Sequence, residues 1–280
     1  GVSEEITGRA LRDFAYREET VLATKVHFPM SAGPNMGGLS RKHIIQACEA
    51  SLKRLGTDRI DLFSCHREDP TTPLEETLVA LDQLVRDGKV RYLGYSNWSP
   101  WRVAAALEFQ KANGLARFVS GQMYYSLVGR DVENDTIPVM ERYGIGMMAW
   151  SPLAQGFLSG KITRKNLKDG DHRLAQFDFL PLDKEMGFQA LDAMREIAKQ
   201  AGCSVPQVAL AWLLAKPAAT NIILGASRLS HLEDNLAAVD VVLDDAQVER
   251  LDALMPPPRV YPNCFKEITA DQPHMEALGV

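Results

Sequence analysis

The chain has 280 residues, 46% hydrophobic and 24% charged, with a formal net charge of −5. That balance suits a globular protein with a large core and argues against nucleic acid or an anionic membrane as the main partner. There is no apolar run of about 18 residues and no signal-like N-terminus, so a cytoplasmic protein is expected.

The first predicted element is a helix: Ser3, Glu4 and Glu5 form a start signal, followed by Ile6, Ala10, Leu11 and Phe14 at helical spacing. Residues 20–25 read as a strand ending on Lys25. A helix over 39–56 takes Ser40 as N-cap and Gly56 as stop, with Ile44, Cys48, Leu52 and Leu55 as its apolar stripe. The run "RIDLFSCHRED" (59–69) is a strand that ends on His66. A helix over 72–88 has Thr72 as cap, Pro73 in its first turn and Gly88 after its end. Then come a strand over 89–97, a helix over 100–114, a strand over 116–123, a helix over 132–143 and a strand over 144–151. The segment 152–184 has no clear period and is too long for a routine connection. Helices over 184–201 and 205–215, a strand over 220–227, a helix begun by "SRLSHLEDNL" and a last helix over 244–255 complete the order. The four cysteines, Cys48, Cys65, Cys203 and Cys264, are too scattered for a metal knuckle or a disulfide framework and read as reduced thiols; no metal site is expected.

Regular strand–helix alternation implies parallel pairing, because each return to the sheet needs a crossover helix. The absence of internal repeats and low-complexity linkers favours one α/β domain over 1–280. An open doubly wound sheet or a (β/α)₈ barrel would both serve, but no G-x-G-x-x-G follows a strand, which weakens the first. The six strands end on Lys25, His66, Ser96 with Asn97, Gln122, Trp150 with Ser151, and Gly225 with Ser227. In a barrel these ends share the face where active sites of the fold lie. Singly each has a plain structural reading: a strand-end histidine is usually a hydrogen-bonded residue, a lysine can snorkel to solvent, and a tryptophan is more often core. Together they form a polar ring. An indole can stack on a planar heterocycle, the hydroxyl and amides suit a carboxamide, and a helix start after the last strand suits a phosphate. Those features describe a nicotinamide nucleotide.

In the same order and spacing, "SEEITGRAL", "LATK", "SLKRLGTDRIDLFSCHRED", "EETLVALDQLVRDGKVRYLGYSN", "MMAWSPLAQGFLSGK" and "IILGASRLSHLEDNL" resemble the aldo-keto reductases over essentially the whole chain. The resemblance implies an NADPH-dependent carbonyl reductase, with NAD possible, on a (β/α)₈ barrel. It implies Lys25 and His66 as catalytic residues, Ser96, Asn97 and Gln122 on the nicotinamide amide, and Trp150 stacked on its ring. Ser151, Pro152, Leu153, Gly156, Leu158 and Lys161 would line the pyrophosphate path, with Arg173 in the long loop over the cofactor. Gly225, Ser227, His231, Asp234 and Asn235 would surround the adenosine 2′-phosphate and adenine. His231 departs from the glutamine or arginine of the family pattern, while Lys161 and Ser227 favour the phosphate.

The family's other two catalytic residues, an Asp and a Tyr, are expected before Gly1. The strand count agrees, since six of eight barrel strands are recognisable; at about 250 residues for eight units, two units amount to roughly 60 residues. The implied mechanism passes a hydride from NADPH to an aldehyde or ketone. The tyrosine is the general acid, its pKa is lowered by Lys25, and His66 donates a hydrogen bond to the carbonyl oxygen. Residues 26–39, Trp98, Trp101, Tyr125, the 153–187 segment and the tail from Met255 would wall a pocket for a hydrophobic carbonyl compound, or for a small aldehyde with an aromatic or aliphatic body. Two alternatives stand beside the reductase: a Schiff-base lyase using Lys25, and a non-catalytic NADPH-binding regulatory protein of the same fold.

Overall fold

The computed structural model describes residues 1–167, 173–265 and 277. In chain order its elements are α1 (Val2–Phe14), β1 (Ala23–Val26), α2 (Arg41–Leu55), β2 (Ile60–Cys65), α3 (Leu74–Arg86), β3 (Val90–Ser96), α4 (Pro100–Ala112), β4 (Phe118–Tyr124), α5 (Thr136–Tyr143) and β5 (Gly146–Trp150). The short helix α6 (Arg173–Gln176), α7 (Lys184–Ala201), α8 (Val205–Leu214), β6 (Asn221–Ile222), α9 (Leu229–Leu236) and α10 (Asp245–Leu254) follow. Two compact units emerge, one of Gly1–Met123 with Val139–Met148, the other of Tyr124–Pro138 with the chain from Ala149 onward.

Several ends obey the predicted chemistry and two do not. The Ser40 hydroxyl accepts the His43 N–H at 3.3 Å, and Gly56 closes α2 in the left-handed region at φ 65°. On α3, by contrast, Pro73 is the N-cap, and the Thr72 hydroxyl donates instead to Asp69 at 2.8 Å. Helix α1 begins at Val2, one residue ahead of the predicted Ser3 start signal. The predicted strand over 220–227 contracts to two residues.

In the first unit β1, β2, β3 and β4 lie side by side and parallel, with Lys25 opposite Ser64 and Ser96 opposite Gln122. The crossover helices bury one stripe each: Ile44, Cys48, Leu52 and Leu55 on α2, Val103, Ala106 and Leu107 on α4. Tyr95, Trp98 and Phe118 stack into a cluster with centroids 5.5–6.1 Å apart. Helix α1 is held by Glu4, whose carboxylate accepts the Thr24 hydroxyl at 2.6 Å and the Arg54 guanidinium at 2.5 Å.

The 26–39 connection forms a closed loop. At its neck the Gly38 N–H donates to His27 O at 2.8 Å. Buried Asp69 then fastens it, accepting the Leu39 N–H at 2.7 Å on one oxygen and the Thr71 N–H and hydroxyl, at 2.9 and 2.6 Å, on the other. Burial works against this carboxylate's charge, but the hydrogen bonds from Thr71, Leu39 and Thr72 outweigh it and hold its pKa well below the usual range. Gly38 has φ 83°, and a Cβ there would stand 2.7 Å from the Asp69 carboxylate, so this position requires glycine.

In the second unit α8 is apolar nearly all round and correspondingly buried, with Val208, Leu210, Trp212 and Leu213 at most 1% exposed. Capping boxes start α8 (Ser204, Gln207) and α10 (Asp244, Gln247). Asp252 on α10 accepts Arg130 at 2.8 Å, the Trp212 indole N–H at 3.0 Å and Lys216 at 2.6 Å, and the guanidinium and ammonium also lie over the Trp212 ring. Strand β6 adjoins β5 in the sheet order, and just beyond it the Ile223 N–H donates to Ala149 O at 2.9 Å. Among the described residues no helix is long and apolar enough to cross a membrane, and no cluster of histidine, cysteine or acidic side chains could hold a metal ion.

Candidate active site

The parallel register carries the polar residues to one edge of the first unit's sheet. Lys25 is the penultimate residue of β1, and His66 follows β2 directly, its N–H bound to Val26 O at 2.8 Å. Burial lowers the Lys25 ammonium pKa; no carboxylate pairs with it among the described residues. Burial, with the positive charges of Lys25, His27 and Arg67, pushes the His66 imidazole down to about 4. The imidazole is therefore neutral near pH 7, able to donate one N–H without being a proton source. Next along the edge, the Ser96 hydroxyl donates to Gln122 O at 2.8 Å and the Asn97 side-chain amide donates to the Ser96 oxygen at 2.9 Å. Asn97 has φ 55°, an uncommon conformation for a residue other than glycine that clusters at functional sites.

In the second unit Trp150 ends β5, its indole flanked by Tyr124 at 5.3 Å and by near-parallel Phe179 at 6.5 Å. The chain then turns through left-handed conformations at Ser151 (φ 53°), Ala154 (46°), Gln155 (57°) and Gly156 (92°). The Ser151 hydroxyl steadies the turn by accepting the Gln155 N–H at 2.9 Å. The Gln155 side chain is buried, with neither amide atom hydrogen-bonded among the described residues, a costly arrangement unless a ligand supplies the partner. Farther on, Lys161 Nζ lies 3.3 Å from His231 Nε2, both accessible to solvent.

The aldo/keto reductase family model matches residues 1–256, through both units. The chain belongs to the aldo/keto reductase family. It is 34% identical over 91% of its length to a probable voltage-gated potassium channel subunit beta from Oryza sativa, covering 80% of that protein. It is 36% identical over 86% of its length to L-glyceraldehyde 3-phosphate reductase from Escherichia coli, covering 71% of it. Against versiconal hemiacetal acetate reductase from Aspergillus parasiticus the identity is 32%, over 94% of this chain and 81% of the relative. The fold of the aldo/keto reductases is a (β/α)₈ barrel, and six of its parallel strands are those described above.

The structure sorts the residues that the family pattern singles out. Lys25, His66, Ser96, Asn97 and Gln122 come together on one strand edge. Lys161 meets His231. Pro152 and Leu158 are buried, Leu153 half-buried, and Leu153 O accepts the N–H groups of Gly156 and Leu158 at 2.9 and 3.2 Å. Asp234 is committed within the protein, accepting the Ser204 hydroxyl at 2.9 Å and the Gln207 amide at 3.1 Å, and Asn235 is buried. Gly225 and Ser227 are exposed in an irregular link before α9; a Cβ on Gly225 would meet nothing within 4 Å. Arg173 opens α6, and its side chain lies outside the described residues.

Two expected pocket walls are core residues. Trp98 is 2% exposed against Tyr95 and Phe118, because its ring completes the aromatic cluster of the first unit. Tyr125 is 1% exposed, packed on Trp212, with its hydroxyl donating to Glu133 at 2.8 Å. Trp101 is 67% exposed. Sequence reasoning passed over Gln155, for which only the Gln–Gly pair in "LAQG" gave a local signal of a special turn.

Proposed function

We propose that this protein reduces an aldehyde or ketone to the alcohol, reversibly, with NADPH, and that residues 1–280 act as one barrel domain, a reading supported by the family match running through both units. The observation that carries it is the half-buried Lys25, without a carboxylate partner among the described residues, beside a neutral His66 at the ends of adjacent parallel strands. When bound, NADPH supplies the hydride that reaches the carbonyl carbon. Ser96, Asn97 and Gln122 would hold its carboxamide, Trp150 would flank its ring, and Gln155 would find its missing hydrogen-bond partners on the pyrophosphate side. The Lys161 ammonium, donating one N–H to His231 Nε2, keeps two for a 2′-phosphate, which favours NADPH over NADH. His66 donates its N–H to the carbonyl oxygen and polarises it, and the Lys25 charge stabilises the negative oxygen that develops.

The family pattern assigns the proton for that oxygen to a tyrosine. Four tyrosine hydroxyls serve elsewhere: Tyr125 donates to Glu133, Tyr143 to Glu108, Tyr124 accepts from Ser126, and Tyr95 is enclosed in the core. Four unpaired cysteines support a reducing compartment such as the cytoplasm.

His66→Ala in the full-length protein tests the reading. Turnover with a panel of aldehydes should fall by about 10²-fold or more while NADPH affinity holds; equal losses in both would remove His66 from the chemistry. Lys161→Ala should weaken NADPH binding about tenfold and leave NADH binding unchanged, measured by cofactor fluorescence titration. Likeness to the potassium-channel subunit favours one second reading, a cofactor-binding regulatory protein. Tight NADPH binding with no turnover across the panel would select it.

A further inference from the structure

Among the described residues no hydrogen bond fixes the His66 ring; only its backbone N–H is engaged, by Val26 O at 2.8 Å. An imidazole attached through two side-chain torsions can then present either nitrogen to a substrate. Packing takes the place of the hydrogen bond. Phe28 meets the His66 ring edge-to-face, centroids 4.9 Å apart and planes at 79°, the arrangement that the aromatic charge distribution favours.

Phe28 is 43% exposed, but its ring is bracketed on two sides. Its ring stands edge-to-face on His27 at 5.1 Å, and the Arg67 guanidinium lies over it, 5.3 Å from the centroid. His27 is held in turn, its Nε2 lying 3.2 Å from Glu68 O and its carbonyl accepting the Gly38 N–H at the loop neck. Asp69, one residue beyond Glu68, fastens Leu39 on the other side of that neck. The loop following β1 thus delivers a phenyl ring to the residue following β2.

We propose that Phe28 is a positioning residue that selects the single His66 ring orientation used toward the carbonyl oxygen. The inference rests on the reductase reading and adds to it a residue that acts through His66. Orientation of the imidazole depends on an aromatic edge, so another aromatic side chain can substitute for Phe28, whereas an aliphatic one of similar bulk cannot.

The test compares Phe28→Leu and Phe28→Tyr in the full-length protein, saturated with NADPH and given the best aldehyde of the panel. In Phe28→Leu, kcat should fall about tenfold to a hundredfold, with KM and NADPH affinity changed by less than about twofold; Phe28→Tyr should restore kcat to near the parent value. Independently of turnover, the His66 ring-proton NMR resonances should shift and broaden in Phe28→Leu and stay near their parent positions in Phe28→Tyr. Unchanged kcat or unmoved His66 resonances in Phe28→Leu would overturn the proposal. The parent protein separates the two levels: no NADPH-dependent turnover on any aldehyde of the panel sinks the reductase reading itself. Loss in His66→Ala without loss in Phe28→Leu sinks only the role of Phe28.

Discussion

His66 combines a demanding position with a simple electrostatic solution. Burial and three neighbouring positive charges, from Lys25, His27 and Arg67, all disfavour the imidazolium. Its midpoint in the folded chain, about 4, lies below the ~6.5 of an unfolded histidine. Between these values the unfolded chain binds the additional proton, so stability rises with pH across that window. The contribution is present above about pH 6.5 and is lost as pH falls toward 4. An NMR titration of the His66 ring should therefore show no midpoint between pH 5 and 8, and unfolding by urea should become easier from pH 6.5 down to 4.5. A midpoint near 6.5 would contradict the crowding of positive charge described here.

At the scale of elements, the connection after β1 matters most. One buried carboxylate, Asp69, satisfies the Leu39 N–H, the Thr71 N–H and two threonine hydroxyls. Asp69→Ala leaves those donors facing a void and should cost about 3 kcal/mol, read as a lower urea midpoint at unchanged slope. This fastening was hidden in the sequence. Thr72 looked like an ordinary helix cap, because Ser or Thr before Pro is a common start signal; its hydroxyl turns back to Asp69, three residues earlier, and only the pairing of Asp69 with Leu39, thirty residues away, lies beyond local pattern. Ser40 and Gly56 were legible because capping is a local matter, decided within four residues of chain.

For the molecule as a whole, strand–helix order was readable because parallel strands need crossover helices, and the apolar stripes of α2 and α4 repeat at helical spacing. The polar strand ends were legible for the same reason: each interrupts an apolar run. Burial of aromatic residues in connections was not. Tyr125 looks like a pocket wall until Trp212, far along the chain, packs on it. The same tryptophan sits in the second unit's charge network, where Asp252 neutralises Arg130 and Lys216. Asp252→Ala removes the acceptor shared by Arg130, Lys216 and the Trp212 indole and should cost about 2 kcal/mol, seen as a fall in Tm; an unchanged Tm would mean that Glu133 and the Met255 carbonyl suffice for Arg130.

The closed neck between His27 and Gly38 also bears on how such a protein can diversify. Because the two ends of the excursion are pinned to each other and to Asp69, the residues beyond Phe28, from 29 to 37, can be replaced or lengthened without disturbing Lys25, His66 or the ring packed on it. Doubling a flexible excursion adds only about 0.6 kcal/mol of closure entropy. The segment is a cassette: its tip can be exchanged to meet new substrates while the catalytic strands keep their places.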